Sequence, residues 1–460
     1  MAGDRTAAAS GIATLMDWAH GVRFEDIPAP AVARMARIIA DDLAAAVAAR
    51  DETEVVAFHR RTLAQVDTPE ATVFRGGRQR TERKAAAVAN GMAFDWLELD
   101  EGYRKASCHG GLCTLPALLA EAEADNVPLP EVLRAAVVAY EMVTRVARAW
   151  TPADTAHHPH ARYAALGAAA ATALVRKVDR DVLGRAFTGA ATLINAGPMN
   201  HAVEGALVRN VWTGACAWSG MMSVEWAQCG IGGLDASPYD VYGDLLHGTC
   251  MPDQLTADLG RTWAVLEGYT KIHACCQYTH SAVEATLALR SRLRTQAPGA
   301  DVDAILVETH PLAMSLANYR PPTTLAAKFS LPHVVAAVLA QGEAGVEAFT
   351  TATIADAAVS GLRNKVTIAA YGHELPPPHD RPARVTATLA DGRSYSEECL
   401  SAPGGPDQPI ADAIVWAKIE RLSAAVYPRL AQTLMQVGRQ EPARMAQGWA
   451  DVVADLCAPA

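Results

Sequence analysis

Residues 383–400 read ARVTATLADGRSYSEECL. Apolar and polar side chains alternate on either side of Asp391-Gly392, the dipeptide that most readily closes a tight hairpin, so the stretch predicts two antiparallel strands. DVDAILVETH (301–310) and NKVTIAAYG (364–372) are also rich in Val, Ile and Thr and also read as strands. KFSLPHVVAAVLAQG (328–342) and GVEAFTTATIADAAV (345–359), which lie between them, read as helices. The part of the chain after about residue 268 is therefore expected to hold a small α+β unit ending near the Gly/Pro-rich SAPGGPDQP (401–409).

Outward from that unit the grammar is helical. PAVARMARIIADDLAAAVAAR (30–50) and PEVLRAAVVAYEMVTRVARAW (130–150) repeat apolar residues at three and four, with proline near the start of each. The pattern holds from about residue 8 to 265 and returns after about 408. LGAAAATALV (166–175) is alanine-rich enough to be buried on every face. The expected fold is mainly α with an inserted α+β domain: a helical domain over 1–268, an α+β lid over 269–407, and helices over 408–460 that rejoin the first domain.

Composition narrows the function. The 460 residues are half hydrophobic and 20% charged, with a formal charge of −10. A chain this long is expected to form two domains around a large interior. Without a dense Lys/Arg run it has no electrostatic footprint for nucleic acid or an anionic membrane, which leaves small-molecule chemistry. The N-terminal stretch carries Asp4 and no signal-length apolar run, and no segment reaches the length of a membrane helix, so a cytoplasmic location is expected. The nine cysteines show no C-x-x-C spacing and read as reduced, mostly core thiols.

Four polar clusters interrupt the apolar chain. In WLELDEGYRKASCHGGLCTLPALLAEA (96–122), Glu98, Asp100 and Glu101 end a helix, and His109-Gly110-Gly111 leads into another whose start would favour a carboxylate; a solvated acidic turn is the alternative. HHPHARYAALGAAAA (157–171) invites a zinc site, but Pro159 constrains the loop and no Cys or carboxylate stands at ligand spacing. An acid, base or cap at the helix start suits it better. In GPMNHAVEGALVRNVWTG (197–214), Arg209 either pairs with Glu204 or offers its planar fork to a substrate carboxylate. In KIHACCQYTH (271–280), Lys271 is a base or an anion clamp, Cys275-Cys276 reads as packing, and His273 and His280 are structural or functional.

Taken in order, these clusters resemble the MmgE/PrpD family. LELDEG followed by HGG resembles its acidic segment and histidine loop, and HPHARYAALGAAAA its histidine and G-A-A-A helix. VRNVWTGACA resembles the segment with a basic site residue, KIHACCQYTH the K-x-Y-x-C-C-x-x-T-H pattern, and AAKFSLPHVVAAVL the A-x-F-S-x-P-Y pattern; KVTI, RVTATLADGR and APGGPDQPI fit the closing part. The resemblance implies a large helical domain with a smaller lid, a homodimer, and a site between the domains that needs neither metal nor organic cofactor. It implies Asp100, His109, His158 and Lys271 as catalytic residues, with Arg209, His333, His280, Gly110 and Tyr319 binding substrate. Gly102 stands in place of a frequent threonine, Gly110 in place of proline, Arg209 where decarboxylase members carry lysine, and His333 in place of tyrosine. The implied activity is that of a lyase on a small polycarboxylate, foremost a dehydratase or hydratase like 2-methylcitrate dehydratase. Decarboxylation of an unsaturated tricarboxylate, epimerisation of an amino-dicarboxylate, and a non-catalytic carboxylate-binding homologue are the alternatives.

Overall fold

The computed structural model describes residues 2–64 and 68–458. The body is built from helices α1 (Ala2–Gly21), α2 (Ala29–Ala48), α3 (Thr53–Leu63), α4 (Arg83–Trp96), α5 (Gly110–Ala124), α6 (Leu129–Ala149), α7 (Pro159–Val175), α8 (Arg180–Ala190) and α9 (Trp212–Gln228). α7 is its axis, with α5, α6, α8 and α9 against it. Small residues permit that closeness: a Cβ on Gly167 of α7 would come within 2.7 Å of Cys113 on α5, and one on Gly220 of α9 within 2.5 Å of Ala168. Most buried apolar side chains of the body form one core, beside a smaller alanine-rich cluster that includes Ala86, Ala117 and Ala168. The chain is mainly α, with a smaller α+β domain.

Helical structure in the body stops earlier than periodicity suggests. After α9, GIGGLDASP (230–238) turns the chain, with Gly230 at φ +83, and residues 240–279 run as short turns and loops. Glycine and proline density overrides the apolar spacing there.

The lid holds α10 (His280–Gln296), β1 (Val302–Thr309), α11 (Leu331–Gln341), β2 (Val366–Ala370), β3 (Ala383–Leu389) and β4 (Ser394–Cys399). The sheet order is β2-β1-β3-β4, with β1/β2 parallel and the other pairs antiparallel. β3 is buried at every second residue, and the β3–β4 hairpin closes through Asp391 and Gly392, the latter at φ +85. α10 covers β3 and β4. The stretch 345–359 is not one helix but three short pieces, because Thr350 and Asp356 each cap a new start by accepting an amide N–H. α12 (Asp412–Ser423) and α13 (Leu430–Gly438) then pack on α2, and α14 (Trp449–Leu456) on α5. No helix among the described residues is long and apolar enough to cross a membrane.

Candidate active site

Where body meets lid, a narrow cavity is lined by Glu98, His109, His158, Arg209, Lys271 and Phe329, among others. Its open space is about 40 Å³, room for a few waters. That is less than the space a small organic ligand fills.

The acidic wall comes from the end of α4. Glu98 lies just past Trp96 at φ +56, a left-handed conformation that a non-glycine residue adopts at a cost. The turn sets Glu98 between two cations: it pairs with Arg209, and its Oε2 lies 3.3 Å from Lys271 Nζ. Lys271 Nζ is also 3.2 Å from Asp100 Oδ1, and Arg209 pairs with Asp95. All five side chains are buried. Burial opposes charge on Lys271, yet Asp100 and Glu98 raise its pKa and keep it an ammonium. Burial pushes Asp95 up to about 7 despite Arg209, so one acid of the wall titrates near neutrality. Asp100 is held well below the usual carboxylate range, since Lys271 and His109 outweigh its burial.

His109 is the N-cap residue of α5, and its Nδ1 lies 2.7 Å from both Asp100 Oδ2 and the Glu101 carbonyl oxygen. Two acceptors at one nitrogen fix the proton on Nδ1 and leave the Nε2 lone pair as the basic site. Burial lowers the pKa of this imidazole, but the Asp100 carboxylate overcomes it and the net direction is upward. His158 is the opposite case. As N-cap of α7 it meets the His160 amide N–H at Nδ1 (3.2 Å), and the Arg209 Nε–H points at its Nε2 from 3.4 Å. A neutral ring has one bare nitrogen, so these two donors compete for a single acceptor site. Burial and Arg209 hold His158 well below its ordinary pKa.

Other residues implied by the family patterns lie elsewhere. His333 is buried inside the lid, with Nε2 3.0 Å from the Ala348 carbonyl oxygen and Nδ1 3.0 Å from Arg363. His280 lies behind Lys271 and is fixed by the Tyr269 hydroxyl (2.9 Å) and the Cys275 carbonyl oxygen (3.2 Å). Tyr319 packs against the lid core, away from the cavity lining. Gly110 shapes the loop without lining the cavity: a Cβ there would meet the Tyr140 ring at 2.5 Å, which explains why no proline follows His109. Arg209 pairs with Asp95 and Glu98 rather than Glu204. The start of α5 is already occupied, because Glu101 accepts the Gly111 amide.

Asp95, Glu98 and His160 complete the cluster and were not singled out by sequence as site residues. His160 Nδ1 lies 3.1 Å from Asp95 Oδ2, and its ring stacks edge-on with His109 and His158 at 4.4 and 4.6 Å. The D-x-x-E-x-D spacing of Asp95, Glu98 and Asp100 was the available signal. The three histidines of HHPH do not converge, because His157 turns to the Asn195 carbonyl oxygen at 2.7 Å. Asp100, His109 and His160 do bring ligand atoms within 4.8 Å of one another, as do Asp95, Glu98 and Asp100. Arg209 and Lys271 already neutralise these carboxylates, so a metal ion would have to displace them.

A mainly helical body with a smaller α+β domain carries, at their junction, a buried cluster of paired cations, carboxylates and imidazoles. Comparison makes this specific. Residues 13–242 match the MmgE/PrpD N-terminal domain and residues 273–438 the MmgE/PrpD C-terminal domain. The chain belongs to the MmgE/PrpD family. It is 25% identical over 456 residues to cis-aconitate decarboxylase-like protein oryM of Aspergillus oryzae, covering 92% of each chain. It is also 25% identical over 452 residues to cis-aconitate decarboxylase of Aspergillus terreus, covering 91% of this chain and 90% of that one. Family and relatives alike indicate an enzyme of the lyase kind.

Proposed function

We propose that the chain is a lyase acting on a small polycarboxylate, using no metal or organic cofactor, by removing a proton from a carbon next to a carboxylate. The observation that carries this is the meeting of His109, His158, Arg209 and Lys271 in one cavity, brought from four distant parts of the sequence. Such a carbon is weakly acidic, so it ionises only where cationic donors hold the charge that develops on the carboxylate oxygens. Arg209 and Lys271 supply permanent charge, and the His158 ring beside Arg209 helps to orient its guanidinium. The Asp100–His109 pair is the base. In a dehydration, the proton His109 takes from carbon is returned to the departing hydroxyl, and water leaves. Glu98 and Asp95 compete with the substrate for the cations, and Asp95, titrating near neutrality, relieves that competition by taking up a proton.

Dehydration or hydration of a hydroxy-polycarboxylate is the leading reaction. Decarboxylation of an unsaturated tricarboxylate is the second, favoured by the names of the two fungal relatives. Incubating the enzyme in deuterium oxide with citrate-like, aconitate-like and amino-dicarboxylate substrates separates them by magnetic resonance and gas analysis. Loss of water gives a new double bond, decarboxylation releases carbon dioxide, and epimerisation exchanges one hydrogen alone. Tight binding with none of these changes would defeat the proposal and leave a carboxylate-binding protein. The proposed enzyme works in the cytoplasm as a homodimer.

A further inference from the structure

A second cavity, about 660 Å³, lies on the opposite side of the segment that carries Lys271. Its lining includes Arg34 and Arg37 of α2, Gly404 of the glycine-rich loop, Asp412 and Trp416 of α12, and Arg439 just beyond α13. Positive charge is in excess there: three guanidiniums face one carboxylate, and that carboxylate, Asp412, is largely exposed and pairs with Arg37. Among the described residues Arg34 has no acidic partner within ion-pair distance. It donates only to neutral oxygens, the Thr270 hydroxyl at 2.8 Å and the Gly268 carbonyl at 3.1 Å. Burial, with a smaller contribution from the neighbouring Arg34 charge, brings the pKa of Arg37 down to about 10 although Asp41 acts to raise it. Arginine forks match carboxylate and phosphate oxygens, and the Trp416 ring offers an apolar wall for the rest of a ligand.

We propose that this cavity binds a small multivalent organic anion, a polycarboxylate or a phosphate ester, as an effector distinct from the substrate. The coupling path is short. Arg34 grips Gly268 and Thr270, the Thr270 amide donates to the Gly404 carbonyl oxygen at 2.9 Å, and the next residue is Lys271. An anion drawn between Arg34, Arg37 and Arg439 stiffens this segment and with it the position of the Lys271 ammonium. Binding at this cavity stands independently of the reaction performed at the other.

The test is fluorescence and calorimetric titration of the full chain with citrate and with pyrophosphate. At least one anion is expected to saturate below about 1 mM, and the tighter of the two identifies carboxylate or phosphate as the preferred head group. Arg37→Gln combined with Arg439→Gln, which alters one partly exposed and one exposed side chain, should weaken that binding at least about tenfold. Trp416→Phe should diminish the fluorescence change and keep the heat. Amide hydrogen exchange over residues 268–272 should slow on saturation. An unchanged affinity in the double variant, or no saturation by either anion, overturns the site; unaltered exchange overturns its coupling to Lys271.

Discussion

Replacing Asp100 by asparagine keeps the shape of the side chain and removes one charge. In the native protein that carboxylate lies 2.7 Å from His109 Nδ1 and 3.2 Å from Lys271 Nζ. An opposite charge at such range moves an imidazole pKa by about 1–3 units. His109 is raised by Asp100, and a base works only when deprotonated, so activity climbs with pH through that raised pKa. In Asp100→Asn the acidic limb of kcat/KM should therefore move about 1–3 units toward lower pH. The plateau should fall about 10²–10⁴-fold, some 3–5 kcal/mol of barrier, because the imidazole loses both orientation and basicity. Lys271 keeps Glu98 at 3.3 Å, so the fold should survive, and a thermal melt checks that it does. The assay is the initial rate of deuterium incorporation or double-bond formation from pH 5 to 9. An acidic limb that stays in place, with a plateau lowered less than about threefold, would refute the role of this pair.

Four further outcomes are expected. Gly110→Ala should cost about 1–3 kcal/mol, seen as a lower denaturation midpoint, because its new methyl meets the Tyr140 ring at 2.5 Å. Arg209→Lys cannot bridge Asp95 and Glu98 with a fork, so KM should rise about tenfold or more in steady-state assays while the His109 limb stays put. Below pH 6.5 stability should drop steeply in melts from pH 7.5 to 5. Burial pushes His310 and His333 down to about 4, so in that window the unfolded chain binds protons that the folded chain resists, at about 1.4 kcal/mol per histidine per pH unit. Dialysis against a chelator should leave turnover unchanged, and a loss restored by one divalent ion would show that the acid–imidazole cluster holds metal after all.

The parts of the fold that sequence displays are those where local pattern and tertiary role coincide. β3 alternates because one of its faces is core, and Asp391-Gly392 closes a hairpin wherever it stands between two such strands. Residues 345–359 have helical spacing, but Thr350 and Asp356 satisfy new helix starts and cut it into pieces. At the site, His109, His158, Arg209 and Lys271 were legible from chemistry and family pattern together. His333 was misplaced because a motif position gives a residue and not its partners, and the Ala348 carbonyl and Arg363 hold this ring inside the lid. Glu98 looked like one acid of an exposed turn. Only the left-handed bend at φ +56, set by distant cations, turns it inward.

Lys418 of α12 donates to the Lys271 carbonyl oxygen at 2.6 Å and pairs with Asp41 of α2 at 2.7 Å. One ammonium thus ties three separate stretches of chain, α2, the Lys271 segment and α12, and a cut at this knot would slacken all three at once.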